Sequence, residues 1–63
     1  MGDTKTTNTT SGLDLLLGIN TSKTESPNGT GYGAGNNQRE ANQSSYDHCQ
    51  RADPNDSQYV PKK

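Results

Sequence analysis

The adjacent pair His48-Cys49 has the side chains best suited to catalysis in this 63-residue chain. An imidazole base beside a thiol nucleophile supports covalent catalysis when the two groups meet and a core holds them in place. Neighbouring helical residues point about 100° apart, so this pair is poorly arranged for proton transfer. With one Cys and one His, the chain also lacks the paired ligands of a structural zinc site. We therefore expect no catalytic residues, no metal and no cofactor.

The first six residues match a lipid-modification signal. Met1 to Thr6 fit the pattern M-G-x-x-x-[ST], in which Gly2 becomes N-myristoylated once Met1 is removed. A single acyl chain gives only marginal membrane affinity. The sequence therefore predicts Gly2 as an acylation site and a membrane contact only if Gly2 is acylated.

Further modification patterns occur throughout the chain. Five Asn-x-Ser/Thr sequons mark candidate N-glycosylation sites at Asn8, Asn20, Asn28, Asn42 and Asn55. Candidate phosphorylation sites are Ser26, which precedes Pro27, and Ser22 and Ser44, which have an acidic residue three positions later. Residues 1–10 contain no apolar signal core, so we expect an intracellular chain, in the cytoplasm or within an assembly, rather than a secreted one.

One short segment contains nearly all the large aliphatic side chains. Leu13, Leu15, Leu16, Leu17 and Ile19 lie within seven residues and are the predicted partner-binding residues. Leu13, Leu16 and Leu17 form an L-x-x-L-L pattern that a helix places on one face. This pattern resembles the box by which coactivators dock on nuclear receptors. The resemblance implies a short helix laid into an apolar groove.

The elements that would position these residues are predicted to be short or unstable. Ser11 is a candidate N-cap for a short helix over 12–18, which Gly18 and Asn20 would end. Helices of this length are marginal in water. The sequence further predicts a polar leader at 1–10 and the leucine-rich segment at 11–20. It predicts a Gly/Asn/Ser loop at 21–36, because Pro27 and Asn28-Gly29 supply turn chemistry and the alternate glycines that follow raise chain entropy and oppose regular structure. After this loop it predicts a transient helix over 37–52, within the segment 37–53, and an extended tail at 54–63.

Composition favours a disordered chain. Only 22% of the residues are hydrophobic, and the formal net charge is −1. The single Cys49 cannot form an intramolecular disulfide. The chain has no block of like charges of the kind that would indicate nucleic-acid binding. We therefore predict a mostly disordered, irregular coil in one chain, with no globular domain and no stable tertiary core.

These observations predict a non-enzymatic, disordered protein that docks on a larger partner through residues 13–19, either as a monomer or partner-bound. One alternative is a structural peptide of a larger assembly. In its composition and its acylation signal, the chain is similar in kind to the small internal capsid peptides of picornaviruses. A second alternative is a secreted or lumenal N-glycosylated peptide, which the sequons favour.

Overall fold

Four strands and two helices follow one another along residues 3–62, the part of the chain that this computed structural model describes. They are the strands β1 (Lys5–Asn8), β2 (Asn20–Ser26), β3 (Gly29–Gly35) and β4 (Tyr59–Pro61), and the helices α1 (Gly12–Leu16) and α2 (Gln38–Arg51). The strands form one antiparallel sheet in the order β1-β2-β3-β4. The radius of gyration is 11.3 Å, close to the ~11 Å of a compact chain of this length and far from ~24 Å for an unfolded one. The predictions of a disordered coil and of a disordered docking protein are therefore wrong.

The predicted loop at 21–36 is instead the central hairpin of the sheet. Ser26-Pro27-Asn28-Gly29 forms the turn, and Ser26 pairs with Gly29 to set the register of β2 and β3. The Ser26 hydroxyl donates to the Gly29 carbonyl at 3.1 Å. Pro27 lies in the turn, where its missing N–H leaves no gap in the ladder. The turn chemistry was recognised in the sequence, but the strands on either side were not.

The glycines of β3 allow a helix to approach the sheet closely. Side chains alternate between the faces of a strand, so Gly29, Gly31, Gly33 and Gly35 share one face. Helix α2 lies across this face. A Cβ at Gly31 would stand 2.7 Å from Cys49 Cα, and one at Gly33 would stand 2.6 Å from Ser44 Cβ. The alternating glycines, expected to prevent regular structure, thus provide the groove in which the helix lies.

Small residues of α2 face this groove. Ala41, Ser45 and Cys49 are buried and four residues apart, so they follow one face of the helix. Asn37 caps the start, where its side chain accepts the Glu40 N–H at 2.9 Å. The left-handed Ala52 ends the helix, with φ of 52°. The helix predicted as transient over 37–52 is therefore a packed helix of 14 residues.

The core is built from small and polar residues. Its buried hydrophobic members are Ala41, Cys49 and Tyr59, and its buried polar members are Ser22, Thr24 and Ser45. Thr24 Oγ1 lies 2.7 Å from Ser45 Oγ. Every buried side-chain N or O atom in the described residues has a hydrogen-bond partner, which removes the main penalty for burying such groups. The prediction of no stable core is wrong because it counted only large aliphatic side chains.

Both ends of the described chain join the sheet. Residues 5–8 of the predicted leader form β1, and Thr6 Oγ1 lies 2.9 Å from Thr24 Oγ1. Residues 59–61 of the predicted extended tail form β4. The buried Tyr59 donates its hydroxyl to the Asn28 carbonyl at 2.9 Å, and the Lys62 N–H donates to the same oxygen at 2.9 Å. These bonds fasten β4 to the hairpin turn.

Candidate docking site

The large aliphatic side chains lie outside the core, on the connection between β1 and β2. Leu13, Leu15, Leu16 and Leu17 are 67%, 64%, 85% and 65% exposed, and Ile19 is 39% exposed. We call residues 13–19 the apolar knob. Contiguous exposed apolar surface is unusual on a soluble domain and marks interaction sites. The predicted docking residues thus lie exposed together on one connection of the fold.

Local hydrogen bonds fix the backbone of the apolar knob. At the start of α1, the Ser11 hydroxyl accepts the Asp14 N–H at 3.1 Å, and Asp14 Oδ2 accepts the Ser11 N–H at 3.2 Å. At the end, the Ile19 N–H donates to the Asp14 carbonyl at 2.8 Å and the Gly18 N–H to the Leu15 carbonyl at 3.1 Å. Gly18 has φ of +74°. The two ends are a capping box and a Schellman motif.

The predicted N-cap Ser11 is confirmed, and α1 is shorter than the predicted 12–18. Regular helix covers Gly12–Leu16, and Leu17 is its C-cap. Gly18, one of the two residues expected to end the helix, adopts the left-handed conformation that the closing motif requires. The L-x-x-L-L residues therefore lie on little more than one helical turn.

A polar cluster at the base joins the apolar knob to the sheet and to α2. Thr10 Oγ1 accepts the Thr21 N–H at 2.9 Å and lies 3.1 Å from Gln38 Oε1. The Gln38 amide in turn donates to the Thr21 carbonyl at 3.2 Å. Because Gln38 is the first residue of α2, these bonds couple the knob to the helix that covers the sheet. The knob is thus supported by the fold although its aliphatic side chains are exposed.

Charge is scarce around the apolar knob. Residues 6–22 contain one ionisable side chain, Asp14. Its carboxylate accepts the Ser11 N–H within the capping box, and its side chain is partly exposed. The surface offered to a partner is therefore apolar with a single negative charge.

Packing contacts position His48 and Cys49, and Cys49 also lines an open depression beside the β2–β3 turn. His48 Nδ1 lies 2.7 Å from the Tyr32 carbonyl oxygen, and Nε2 lies 3.8 Å from Asp56 Oδ2. The Cys49 thiol is buried against the Gly29 carbonyl at 3.8 Å. His48 thus links α2 to β3 and to the segment before β4. Within residues 3–62, no three His, Cys, Asp or Glu side chains are grouped as metal ligands.

The five sequon asparagines occupy different environments. Asn28 lies exposed in the β2–β3 turn, and Asn55 lies exposed in the segment between α2 and β4. Asn8 accepts the Thr10 N–H at 2.8 Å, and the Asn20 amide donates to the Asn36 carbonyl at 3.2 Å. Asn42 Oδ1 accepts from the Ser22 hydroxyl at 2.7 Å and from the Gln38 amide at 2.9 Å. In the folded chain, Asn8, Asn28 and Asn55 are exposed, whereas Asn20 and Asn42 are partly exposed.

The remaining predicted modification sites also differ in accessibility. Ser22 is 1% exposed and Ser26 and Ser44 are partly exposed. A kinase therefore reaches the Ser22 hydroxyl only when the sheet opens. Gly2, the predicted acylation site, lies outside the described residues.

Two surfaces were missed by sequence reasoning, namely the face of the sheet opposite α2 and the free edge of β1. Tyr32 and Val60 are 39% and 51% exposed on the first. For both surfaces, the signal in the sequence was the period-two pattern of residues 29–35, because this pattern indicates a strand, and a strand pairs with neighbouring strands in a sheet.

Three open depressions lie along α2 and are lined mainly by polar side chains such as Arg39 and Asn42.

Comparison of the chain with protein-family models, with curated proteins and with solved structures found no match in any of the three. Within the described part of the chain, no helix has both the length and the apolar character needed to cross a membrane.

Proposed function

We propose that the protein is a small folded docking module without enzymatic activity, which inserts its apolar knob into an apolar groove on a larger protein or assembly. One observation carries this proposal: the five large aliphatic side chains of residues 13–19 are exposed on a backbone that hydrogen bonds hold in one conformation. Because the core of this fold contains no leucine, the leucines of the apolar knob are free for binding.

The energetics favour a preformed knob. Fully burying an exposed aliphatic side chain contributes about 1.5–3 kcal/mol, and because the five side chains are only 39–85% exposed, covering them gives a gross gain of at most about 5–10 kcal/mol. Association costs an estimated 4–15 kcal/mol, and the ordering of loops adds to this cost. The capping box and the Schellman motif order the backbone before binding. The ordering cost therefore falls mainly on side-chain rotamers.

Charge favours a protein groove over a lipid surface. Amphipathic segments that bind anionic membranes carry Lys or Arg beside their apolar face. Residues 6–22 contain neither, and Asp14 would be repelled by an anionic surface. A groove with a basic group at its rim would complement the knob.

Site-specific photo-crosslinking tests the proposal. A photoactivatable leucine analogue replaces Leu16 in one version of the chain and the exposed Val60 in a second, matched version. We expect the Leu16 version to crosslink one discrete partner protein in native extracts. The Val60 version should not crosslink this partner, because Val60 lies on β4.

The double variant Leu16→Ser, Leu17→Ser should lose the partner while its far-UV circular dichroism stays unchanged. Both side chains are exposed, so the free energy of unfolding should change by no more than about 0.5 kcal/mol. The variant Val60→Ser is the control and should keep the partner. Retained binding by the double variant, or binding of the wild type to neutral phosphatidylcholine vesicles, would contradict the proposed protein groove.

A further inference from the structure

The two edges of the sheet differ in their free backbone groups. The register of β1 on β2 continues to Thr9, whose N–H donates to the Thr21 carbonyl at 3.2 Å. Hydrogen-bonded pairs alternate along an antiparallel ladder, so Lys5 and Thr7 turn their N–H groups toward β2. Thr6 and Asn8 therefore turn theirs outward, and Thr4 continues this alternation. No other group of the described chain bonds to these outward donors and acceptors.

The opposite edge, on β4, has no free donor in its strand. The Lys62 N–H donates to the Asn28 carbonyl, so the same alternation turns Tyr59 and Pro61 outward. The Tyr59 N–H already donates to the Asp56 carbonyl at 2.9 Å, and Pro61 has no N–H. Short length and proline are devices that protect sheet edges from pairing. Strand β1, with four residues, is also short, but it contains no proline, and all four of its residues are exposed.

We infer that the β1 edge is a self-association surface, on which the β1 strand of a second copy pairs antiparallel about Thr6. Thr6 of one copy lies opposite Thr6 of the other, and Thr4 lies opposite Asn8. Every outward N–H of Thr4, Thr6 and Asn8 then donates to an outward C=O of the second copy, and every outward C=O of these residues accepts from an N–H of that copy. The result is a continuous sheet of two copies, related by a twofold axis perpendicular to the sheet.

Charge and space favour a second copy of this chain as the occupant. In this register Lys5, the one charged residue of β1, lies opposite Thr7, so no like charges face each other. A net charge of −1 gives little repulsion between copies. Helix α2 packs mainly on β2 and β3 and only weakly on β1. The helix therefore leaves the edge open to a second strand.

The pairing has a consequence for the apolar knob. Because the chain enters the knob from the Asn8 end of β1, antiparallel pairing places the two knobs at opposite ends of the joined sheet. A dimer would therefore engage two grooves at once and gain avidity. This consequence rests on the proposed function, whereas the strand pairing does not.

Sedimentation velocity of the full chain across the micromolar range tests the pairing. We expect the mass to rise with concentration from 6.7 kDa to twice that value. Thr6→Pro removes the central outward N–H and should weaken the dimer at least about tenfold, because two intermolecular hydrogen bonds are lost. Thr6→Val is the matched control. It loses the same hydroxyl contact with Thr24 but keeps the N–H, and it should still dimerise.

Two further versions keep the test decisive. If circular dichroism shows that Thr6→Pro does not fold, a synthetic chain N-methylated at Thr6 removes the donor and retains the side chain. Leu16→Ser, Leu17→Ser should dimerise like the wild type, which separates this surface from the apolar knob. A wild type that stays monomeric, a dimer that survives loss of the Thr6 N–H, or a dimer lost in the leucine variant would overturn the inference.

Discussion

A single methyl group at Gly31 should be enough to unfold the protein. The Cβ of an alanine there would lie 2.7 Å from Cys49 Cα and closer still to the Cys49 nitrogen and the Ser45 carbonyl oxygen. These are backbone atoms of α2, so no rotamer change relieves the overlap. To reach ordinary contact, the helix must move away from the sheet by about 1 Å along its central turns.

The expected cost follows from this movement. Overpacking a core typically costs about 1–3 kcal/mol and occasionally more. Here the displaced group is a whole helix, so we expect a loss of about 3 kcal/mol or more in the free energy of unfolding. A single core in a domain this small rarely supplies more than about 3–5 kcal/mol. The melting temperature should fall by about 10–25 °C, or the folded state should be lost.

Urea and thermal unfolding, followed by far-UV circular dichroism, measure this cost. Gly12→Ala is the matched control, because a Cβ at Gly12 meets nothing within 4 Å. The free energy of unfolding of Gly12→Ala should be unchanged or higher by up to about 1 kcal/mol, because alanine restricts the conformations of the unfolded chain. Gly31→Ala with wild-type stability would refute the close packing of α2 on β3.

Three further effects follow from particular contacts. Gly18→Ala should destabilise the fold by about 1 kcal/mol in thermal melts, because a φ of +74° is strained for a residue with an L side chain. The same variant should speed amide exchange at Ile19, and unchanged exchange would contradict the Schellman motif. Tyr59→Phe should cost about 1 kcal/mol in urea unfolding, because the Asn28 carbonyl loses a buried hydroxyl donor, and no loss would argue against that bond. The Cys49 thiol should react with a thiol reagent only as fast as the fold opens, because Cys49 is 4% exposed. An immediate reaction in buffer would show that the packing of α2 on the sheet does not bury this thiol.

Sequence reasoning located the local signals better than the fold. The Ser11 cap and the Asn28 turn were visible because each depends on neighbouring residues alone. The exposed aliphatic cluster of residues 13–19 was visible as composition. Whether these leucines bind a partner stays a prediction.

The sheet was missed because its stabilising residues lack large side chains. Alternate glycines were interpreted as a source of chain entropy, but the period of two that they share is also the period of a strand face. The complementary signal was the spacing of Ala41, Ser45 and Cys49, which places three small residues on one helical face. Neither pattern is decisive alone. Gly29 and Cys49, for example, are 20 residues apart in the sequence and in contact in the fold, and local propensity cannot predict such a contact.

The claim on which the account depends is that the isolated chain folds by packing α2 directly on the glycines of β3. Nuclear Overhauser spectroscopy of the isotope-labelled monomer measures this contact without any substitution. The account predicts cross-peaks from the Gly31 Hα protons to the Cys49 amide proton, and from the Gly33 Hα protons to the Ser45 amide proton, together with slow amide exchange in β2, β3 and α2. Narrow amide dispersion with no such cross-peaks would contradict it.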